Sequence, residues 1–394
     1  MNHREKYPWL YDVIFLLVFL LAGYLRLTGS NWGDNGGQHP DENHFSGVLS
    51  AIHAQSCADP SLLVEACPPD QMHWLSLGEY FNSQTSPLNP YNRGFGSYVY
   101  GNLPMTIVRV VADATEEAED LRVLGRQFSA FADLFAIMFL YLIVTRLYGR
   151  RVALLASLFS ALTVMQIQQS HFFTVDLFAN AFAFLALWFA VAILEHREQR
   201  VENREEGIGD RAESGEQSIE SHEPLPVKEP SNEVPATDLP PAPPSSFSLN
   251  TSYILLLLRN PLFLLSLGFG FALGMAMASK INIAPLAIVL PGAFLLRYLV
   301  QRKESDHLLT TGNWKLAPDR EAWILLIIIC LIAGGLATII SFRIFQPYAF
   351  DGIGFDTRWV EDIKQQRAQA KGDADLPWNL QWARRSHLFS FTNL

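Results

Sequence analysis

Seven runs of apolar residues, most of them long enough to form a membrane-spanning helix, constrain the fold of this chain more than any other feature. They cover about 9–27, 128–148, 152–167, 177–194, 261–279, 281–300 and 322–342. A helix needs roughly 20 apolar residues to cross the hydrocarbon core of a bilayer. The third run is short and needs Gln166–Gln169 to complete it. The pattern predicts an all-α integral membrane protein, a polytopic helical bundle with about seven spans.

Lys and Arg are distributed unevenly between the loops that join these runs, which indicates an orientation. They precede the first run and follow the second, fourth and sixth, at Arg4, Lys6, Arg146, Arg150, Arg151, Arg197, Arg200, Arg204, Arg211, Arg302, Lys303, Lys315 and Arg320. Loops rich in Lys and Arg stay in the cytoplasm. We therefore expect 28–127, 168–176, the turn at Lys280 and the tail 343–394 on the opposite side.

Composition divides the chain into four parts. Residues 1–195 form an N-terminal membrane region that includes the long external loop 28–127, and 251–342 contain spans five to seven. Between them, 196–250 is rich in Glu, Ser and Pro and has too few apolar residues to bury a core, which predicts a disordered cytoplasmic linker. The segment 343–394 is predicted to be external, and we expect it to be incomplete.

The segment His39-Pro40-Asp41-Glu42 follows the first apolar run, where the chain is expected to leave the membrane. Charged residues next to a membrane usually serve binding or chemistry. The spacing predicts a helix beginning near Pro40, with Asp41, Phe45 and Leu49 on one face and Glu42 on its flank. An alternative stays open, because carboxylates in the first turn of a helix also stabilise its dipole.

Three further polar positions map to the same side of the membrane. Asp176 precedes an apolar run and follows His171 by five residues, so it is either a site residue or a helix cap. Arg126 lies at the outer end of the second span, and Lys280 lies between two spans with almost no loop. Each cation either extends to the interface or binds an anion, for which a lipid phosphate is one candidate.

Cysteine and metal-ligand patterns are sparse. Cys57 and Cys67 share the external loop, and they form either a disulfide or two separate thiols. The sequence contains no CxxC or HExxH motif, which argues against a structural zinc site. The neighbouring carboxylates of Asp41 and Glu42 leave a divalent cation open as a cofactor, because carboxylate oxygens bind such ions.

Four segments together carry a family resemblance: HPDE at 39–42, QQSHFFTVD at 168–176, GMAMASK at 274–280 and RIFQPYAF at 343–350. With this topology the chain resembles the GT-C class of membrane glycosyltransferases, and more narrowly the protein O-mannosyltransferase and aminoarabinose-transferase-like families. The resemblance implies interfacial helices in the first external loop. It also implies transfer of a sugar from a polyprenyl-phosphate donor to a protein, lipid or glycan acceptor at the outer face, in a bacterial plasma membrane.

The resemblance also implies roles for single residues. Asp41 would be the catalytic base with Glu42 beside it, and Asp176 matches the second acidic position of the class. Lys280 and Arg126 would contact the donor phosphate, and we expect the donor site to include His171 and His39 as well. Membrane lipids are expected partners and nucleic acid is not. Such enzymes usually have more spans, which is why we expect a truncated chain.

Two other classes of function compete with a transferase. A lipid-linked-sugar flippase or secondary transporter would place charges near mid-membrane and show internal repeats. Here the charges cluster at one face, and no clear repeat is visible. A scaffold subunit without catalysis would bind the donor and never turn it over.

Overall fold

The computed structural model describes residues 8–33, 37–59, 64–115, 120–196, 257–310, 320–371 and 373. Within them the helices are α1 Pro8–Leu27, α2 Pro40–Ala51, α3 Leu77–Phe81, α4 Asn102–Thr115, α5 Leu121–Tyr148, α6 Arg150–Leu162, α7 Val164–Ser170, α8 Val175–Glu195, α9 Pro261–Ser279, α10 Val289–Thr310, α11 Arg320–Phe345 and α12 Thr357–Lys371. Short 3₁₀ segments cover Val64–Ala66, Pro69–Gln71, Pro90–Arg93, Ile281–Ile288 and Pro347–Ala349.

The predicted all-α polytopic bundle is confirmed. Six helical stretches are long and apolar enough to cross a membrane: Trp9–Leu27, Leu121–Tyr148, Val175–Glu195, Pro261–Ser279, Ile281–Val300 and Trp323–Phe345. The short third run corresponds to α6 and α7, which meet at a 57° bend, and counting this pair as one span brings the number to seven. The bend falls at Thr163, whose extended backbone interrupts the helix.

The helices α1, α5 and α6 pack together through apolar faces. Val18 and Ala22 of α1 contact Leu134 and Ile137 of α5 and Ala161 of α6 in one buried cluster. A second cluster joins α8, α9, α10 and α11, through side chains that include Ala186, Ile193, Phe269, Leu290 and Cys330. These helices lie on both sides of 196–250 in sequence but form one compact unit. The structure does not describe residues 197–256, so the predicted linker 196–250 lies outside the described residues except for its first residue.

The segment between α1 and α5 is called the first loop here and covers 28–120. It is shorter than the expected 28–127, because α5 begins at Leu121 and its first turn is capped by Asp120, whose carboxylate accepts a hydrogen bond from the Val123 N–H at 3.2 Å. The loop contains the helices α2, α3 and α4. It also contains an antiparallel ribbon, β1 Gln55–Cys57 with β2 Met72–Trp74, in which Gln55 pairs with Trp74.

A disulfide joins Cys57 to Cys67, which decides between the two alternatives left open by the sequence. The bond ties β1 to the segment just before β2 and closes a loop of ten residues in sequence separation. Phe45, Val48 and Leu49 of α2 pack with Met105 and Val108 of α4 in the same buried cluster. The first loop is therefore folded, and its core continues into the membrane helices, since Ala132 of α5 and Phe178 of α8 belong to the same cluster.

The segment that follows α11 packs against the first loop. It contains the ribbon β3 Phe350–Asp351 with β4 Gly354–Phe355, and then α12. The Tyr80 hydroxyl donates a hydrogen bond to the Ile344 carbonyl at 2.9 Å, and the Ser86 and Tyr348 hydroxyls are 2.8 Å apart. These contacts join parts of the chain that are more than 260 residues apart.

Candidate active site

The acidic pair lies in the first turn of α2, as the sequence predicted. His39 caps the helix, since its Nδ1 accepts a hydrogen bond from the Glu42 N–H at 3.4 Å, and Pro40 follows in the first turn. The predicted faces of the two acids are reversed, however. Glu42 is fully buried on the same stripe as Phe45 and Leu49, whereas Asp41 is only half-buried.

Glu42 is buried because it has a complete set of partners. The Arg126 guanidinium donates from Nε to Oε1 and from Nη2 to Oε2 of Glu42, both at 2.7 Å. The Phe173 N–H also donates to Oε1 at 2.9 Å. A bidentate pair of this kind fixes both side chains and compensates for the loss of hydration. Glu42 therefore holds α2 against α5 and the segment before α8.

Arg126 is equally enclosed. Its Nη1 donates to the carbonyls of Ser30 and Trp32 at 2.9 and 3.0 Å, and its guanidinium lies 5.3 Å from the centre of the Trp32 ring. The pair with Glu42 leaves only 4% of the Arg126 side chain exposed. Three segments of the chain meet at this one cation: α5, α2 and residues 30–32.

Asp41 faces a different environment. The Tyr100 ring packs against Phe45, one turn of α2 beyond Asp41, with ring centres 4.7 Å apart. Burial raises the pKa of Tyr100 well above its usual value, and the Asp41 and Asp176 carboxylates raise it further. Burial also lowers the pKa of His44, although the Asp41 carboxylate partly opposes this shift. The His44 and Tyr100 rings have centres 5.8 Å apart, so both rings stand beside Asp41.

Lys280 pairs with Asp176. The distance from Lys280 Nζ to Asp176 Oδ1 is 2.5 Å, and the two side chains are 39% and 45% exposed. Asp176 lies within the first turn of α8 and is not its cap, while Lys280 directly follows the last residue of α9. Tyr100 connects this pair to α2. Its ring packs against Phe45, and the Gly101 N–H next to it donates to the Ser279 carbonyl at 3.1 Å. The fold thus brings 41, 100, 176 and 280 into one neighbourhood.

His39 and His171, the two histidines predicted for the donor site, lie close to the Glu42–Arg126 pair. The His171 ring bridges two carbonyls, with Nδ1 2.7 Å from the Ile167 oxygen and Nε2 2.9 Å from the Thr28 oxygen. The His39 ring is 4.7 Å from the centre of the Phe172 ring. His171 thus joins the end of α1 to α7, and its role in donor binding stays a prediction.

The contacts of Asp41 and Glu42 determine which of their carboxylates could bind the divalent cation suggested by the sequence. Among the residues that the structure describes, no three His, Cys, Asp or Glu side chains converge as metal ligands. Both oxygens of Glu42 accept hydrogen bonds from Arg126, whereas Asp41 is half-buried and is not bonded to Arg126. A metal at this site stays a prediction.

Sequence reasoning missed Tyr100. In the sequence, the tyrosines of Tyr98-Val99-Tyr100-Gly101 indicate only a segment that suits a membrane interface. A stronger signal was Gly101, because a glycine between bulky residues often marks a close approach of two backbones. A Cβ on Gly101 would lie 1.9 Å from the Ala278 carbonyl oxygen, so the approach is real.

The site combines a half-buried carboxylate with an ammonium group that is accessible from outside the protein. A carboxylate in this setting accepts a proton, and an ammonium stabilises an anionic leaving group. Group transfer from a phosphate-linked donor to a hydroxyl is one reaction that needs both groups.

Comparison with known proteins supports this class of chemistry. Residues 119–201 match the family model described as dolichyl-phosphate-mannose-protein mannosyltransferase. The matched stretch contains Arg126, His171 and Asp176. It supports a GT-C type glycosyltransferase, a membrane enzyme that uses a lipid-linked sugar. Searches of curated proteins and of solved structures found no significant match to the chain.

Proposed function

We propose that this chain transfers a sugar from a polyprenyl-phosphate carrier to an acceptor hydroxyl on the extracytoplasmic side of a bacterial plasma membrane. The observation that carries the proposal is the convergence of Asp41, Asp176 and Lys280 from three distant segments. The partial family match supports it independently. The excess of Lys and Arg in the opposite loops supports the orientation.

Lys280 is the candidate contact for the donor phosphate. Negative charge grows on the phosphate as the bond between the sugar and the phosphate oxygen breaks, and an ammonium group nearby stabilises that charge. Lys280 is about 40% exposed and lies at the end of α9, where a lipid headgroup has access to it. In the structure Asp176 neutralises Lys280, so a donor phosphate would have to displace the Asp176 carboxylate.

Asp41 is the candidate catalytic base. A hydroxyl is a weak nucleophile, so a carboxylate must take its proton as the oxygen attacks the sugar. The proton moves to Asp41, the new C–O bond forms at the anomeric carbon, and the polyprenyl phosphate leaves with the electron pair. A single displacement of this kind inverts the anomeric centre. Asp41 suits the role better than Glu42, whose oxygens are engaged with Arg126.

The Glu42–Arg126 pair is proposed to position this base. It holds the first turn of α2 in place, and Asp41 is the neighbouring residue of that turn. Arg126 as a direct donor contact stays a prediction, but its burial and its bonds to Glu42, Ser30 and Trp32 favour the positioning role. The acceptor, whether protein, lipid or glycan, would enter from the half-exposed side of Asp41.

The test is the transfer of a labelled sugar from a polyprenyl-phosphate donor in membranes that contain the full chain. We expect Asp41→Asn to reduce turnover about 10²- to 10⁴-fold with donor binding retained, because asparagine cannot accept the proton. Asp70→Asn is the matched control, since Asp70 is an exposed acid of the same first loop, and it should leave turnover unchanged.

Three outcomes would contradict the proposal. Wild-type turnover in Asp41→Asn would remove this residue as the base. Movement of the lipid-linked sugar across the bilayer without any transfer would favour the flippase or transporter alternative. Donor binding without turnover by the unaltered protein would instead favour a scaffold subunit.

A further inference from the structure

We infer that Gly101 is a positioning residue for Lys280, and through it for the donor phosphate of the proposed transfer reaction, on which this inference rests. Gly101 directly precedes α4, and its N–H donates a hydrogen bond to the Ser279 carbonyl at 3.1 Å. Ser279 is the last residue of α9, and Lys280 follows it. The carbonyls at the C-terminal end of a helix have no partner within the helix. A backbone group of the first loop therefore caps the helix that presents the donor contact.

The peptide group between Ser279 and Lys280 is bonded at both of its polar atoms. Its carbonyl accepts the hydrogen bond from Gly101, and its N–H donates to the Ala276 carbonyl at 2.9 Å. On the other side of Lys280, the carbonyl accepts from the Ile283 N–H at 3.1 Å. The backbone of Lys280 is extended, so the chain leaves the helix at this residue. These three bonds fix the point from which the Lys280 side chain extends, and Gly101 supplies the one that comes from the first loop.

A side chain at 101 does not fit against the end of α9. A Cβ there would lie 1.9 Å from the Ala278 oxygen and 2.4 Å from the Ser279 oxygen. Both oxygens belong to the backbone, so neither can swing aside as the end of a flexible side chain can. An added methyl group would therefore either separate the first loop from α9 or turn the peptide group that precedes Lys280.

The segment that contains Gly101 is held on both sides. The Tyr98 N–H donates to the Asp362 carboxylate at 2.7 Å, and the Asn102 N–H donates to Gln346 Oε1 at 2.6 Å. Asp362 and Gln346 are both buried, in α12 and directly after α11. Because these bonds keep the first loop in place, we expect a collision at 101 to displace the end of α9.

Displacement of Lys280 matters because its ammonium group is the proposed contact for the donor phosphate. A charged hydrogen bond depends on distance and direction, and a shift of about 1 Å in a site can cost as much as about 100-fold. Gly101 takes no part in the chemistry itself. Its effect on donor binding should therefore exist only while Lys280 is present.

The experiment is a double-mutant cycle on the full chain, with equilibrium binding of polyprenyl phosphate, the donor without its sugar, as the measurement. We expect Gly101→Ala to weaken binding roughly 10-fold, as for loss of a hydrogen bond to a charged group. Lys280→Ala should weaken it at least as much. Gly101→Ala should add nothing in the Lys280→Ala background, because both changes remove the same contact. A general structural effect would weaken binding by the same factor in both backgrounds.

Gly96→Ala is the matched control. Gly96 is an exposed glycine five residues earlier in the first loop, and a Cβ there meets no atom of the described residues within 4 Å. This variant should bind polyprenyl phosphate as the unaltered protein does. Melting curves show whether each variant folds.

Gln346→Met is a second variant that causes no collision. Methionine has a similar volume but cannot accept the hydrogen bond from the Asn102 N–H, so the segment of Gly101 is held less firmly. Binding should weaken several-fold, again only while Lys280 is present. If Gly101→Ala does not fold, this variant decides the question.

The outcomes separate this inference from the proposed function. If Lys280→Ala weakens binding but a folded Gly101→Ala does not, the positioning role of Gly101 is overturned alone. An equal loss with and without Lys280 overturns it as well, since that result indicates only a structural role. If the unaltered protein does not bind polyprenyl phosphate, or Lys280→Ala binds it as tightly, the donor site of the proposed function fails and this inference fails with it.

Discussion

Lys280 and Asp176 neutralise each other in the structure, although each has a role in the proposed reaction. The pair is half-exposed, and exposed ion pairs of this kind contribute at most about 1 kcal/mol. A contact this weak is easily exchanged for a phosphate that carries its own charge. In the proposed reaction, binding of a donor phosphate to Lys280 would therefore release the Asp176 carboxylate.

A substitution at Asp176 tests whether a donor phosphate replaces its carboxylate at Lys280. Asp176→Asn should bind the donor several-fold more tightly, because the amide no longer competes with the phosphate for Lys280. Turnover should nevertheless fall, about 10-fold or more, because the released carboxylate is missing. Equilibrium binding of a polyprenyl-phosphate sugar and single-turnover rates measure the two effects separately.

Variants of Lys280 provide the control. Lys280→Ala should weaken donor binding, while Lys280→Arg keeps the charge but places it differently. If Asp176→Asn and Lys280→Ala both leave donor affinity unchanged, the exchange does not occur.

Among the helices, the packing of α1 depends on a buried ion pair. Arg26 Nε lies 2.5 Å from Asp133 Oδ2, and both side chains are almost completely enclosed. The guanidinium also donates to the Ala161 and Ser160 carbonyls at 3.0 and 3.1 Å. One side chain of α1 thereby satisfies groups on both α5 and α6. Charged groups inside a membrane bundle need such partners.

Removing one partner of this pair should be costly. Asp133→Asn leaves the Arg26 charge buried without its counter-ion, so the free energy of unfolding should fall by about 3–5 kcal/mol. Unfolding in a denaturing detergent, followed by tryptophan fluorescence, measures the change.

A second ion pair of α1, formed with α6 and not with α5, serves as the comparison. Asp12 of α1 lies 3.3 Å from Arg150 of α6 and is 62% exposed. Asp12→Asn should cost about 1 kcal/mol or less. Equal losses in Asp12→Asn and Asp133→Asn would contradict the distinction between buried and exposed pairs.

The helices show where sequence reasoning succeeded. Long apolar runs predicted the spans, because a bilayer demands continuous apolar surface and satisfied backbone groups. Their ends were less accurate. The helix α5 begins at Leu121 and not near 128, because Asp120 caps it and its first two turns contain Arg122, Arg126 and Gln127, which lower the local hydropathy. The pairing of Arg26 with Asp133 joins residues 107 positions apart, and no local pattern indicates it.

Over the whole molecule, the candidate site is assembled from segments with no sequence relation to one another. Asp41, Asp176 and Lys280 were each predicted from a local pattern of charge beside an apolar run. Their proximity depends on how α2, α8 and α9 pack, which periodicity does not reveal. Tyr100 was missed for the same reason, since its position is set by contacts of the adjacent backbone with Ser279 and Asp362, which are distant in sequence.

The orientation of the molecule gives a further prediction. Ile353 is fully exposed after α11, and Ser218 belongs to the predicted cytoplasmic linker, outside the described residues. A membrane-impermeant thiol reagent should label Ile353→Cys in intact cells, and Ser218→Cys only after lysis. The native background should be low, because Cys57 and Cys67 are bonded and Cys330 is buried. Labelling of Ser218→Cys before lysis would contradict the predicted orientation.

The hydrogen bonds of Asp362 have a consequence for the time course of synthesis. Tyr91 leaves the ribosome 271 residues before the carboxylate that it bonds. At about 5–20 residues per second, the first loop waits on the order of 15 to 50 seconds for that partner. The segment that carries Tyr100 thus acquires its last anchor only when nearly all of this sequence has been translated. A nascent chain that ends between Lys280 and Asp362 contains Asp41, Asp176 and Lys280 but lacks the carboxylate that bonds Tyr91 and Tyr98.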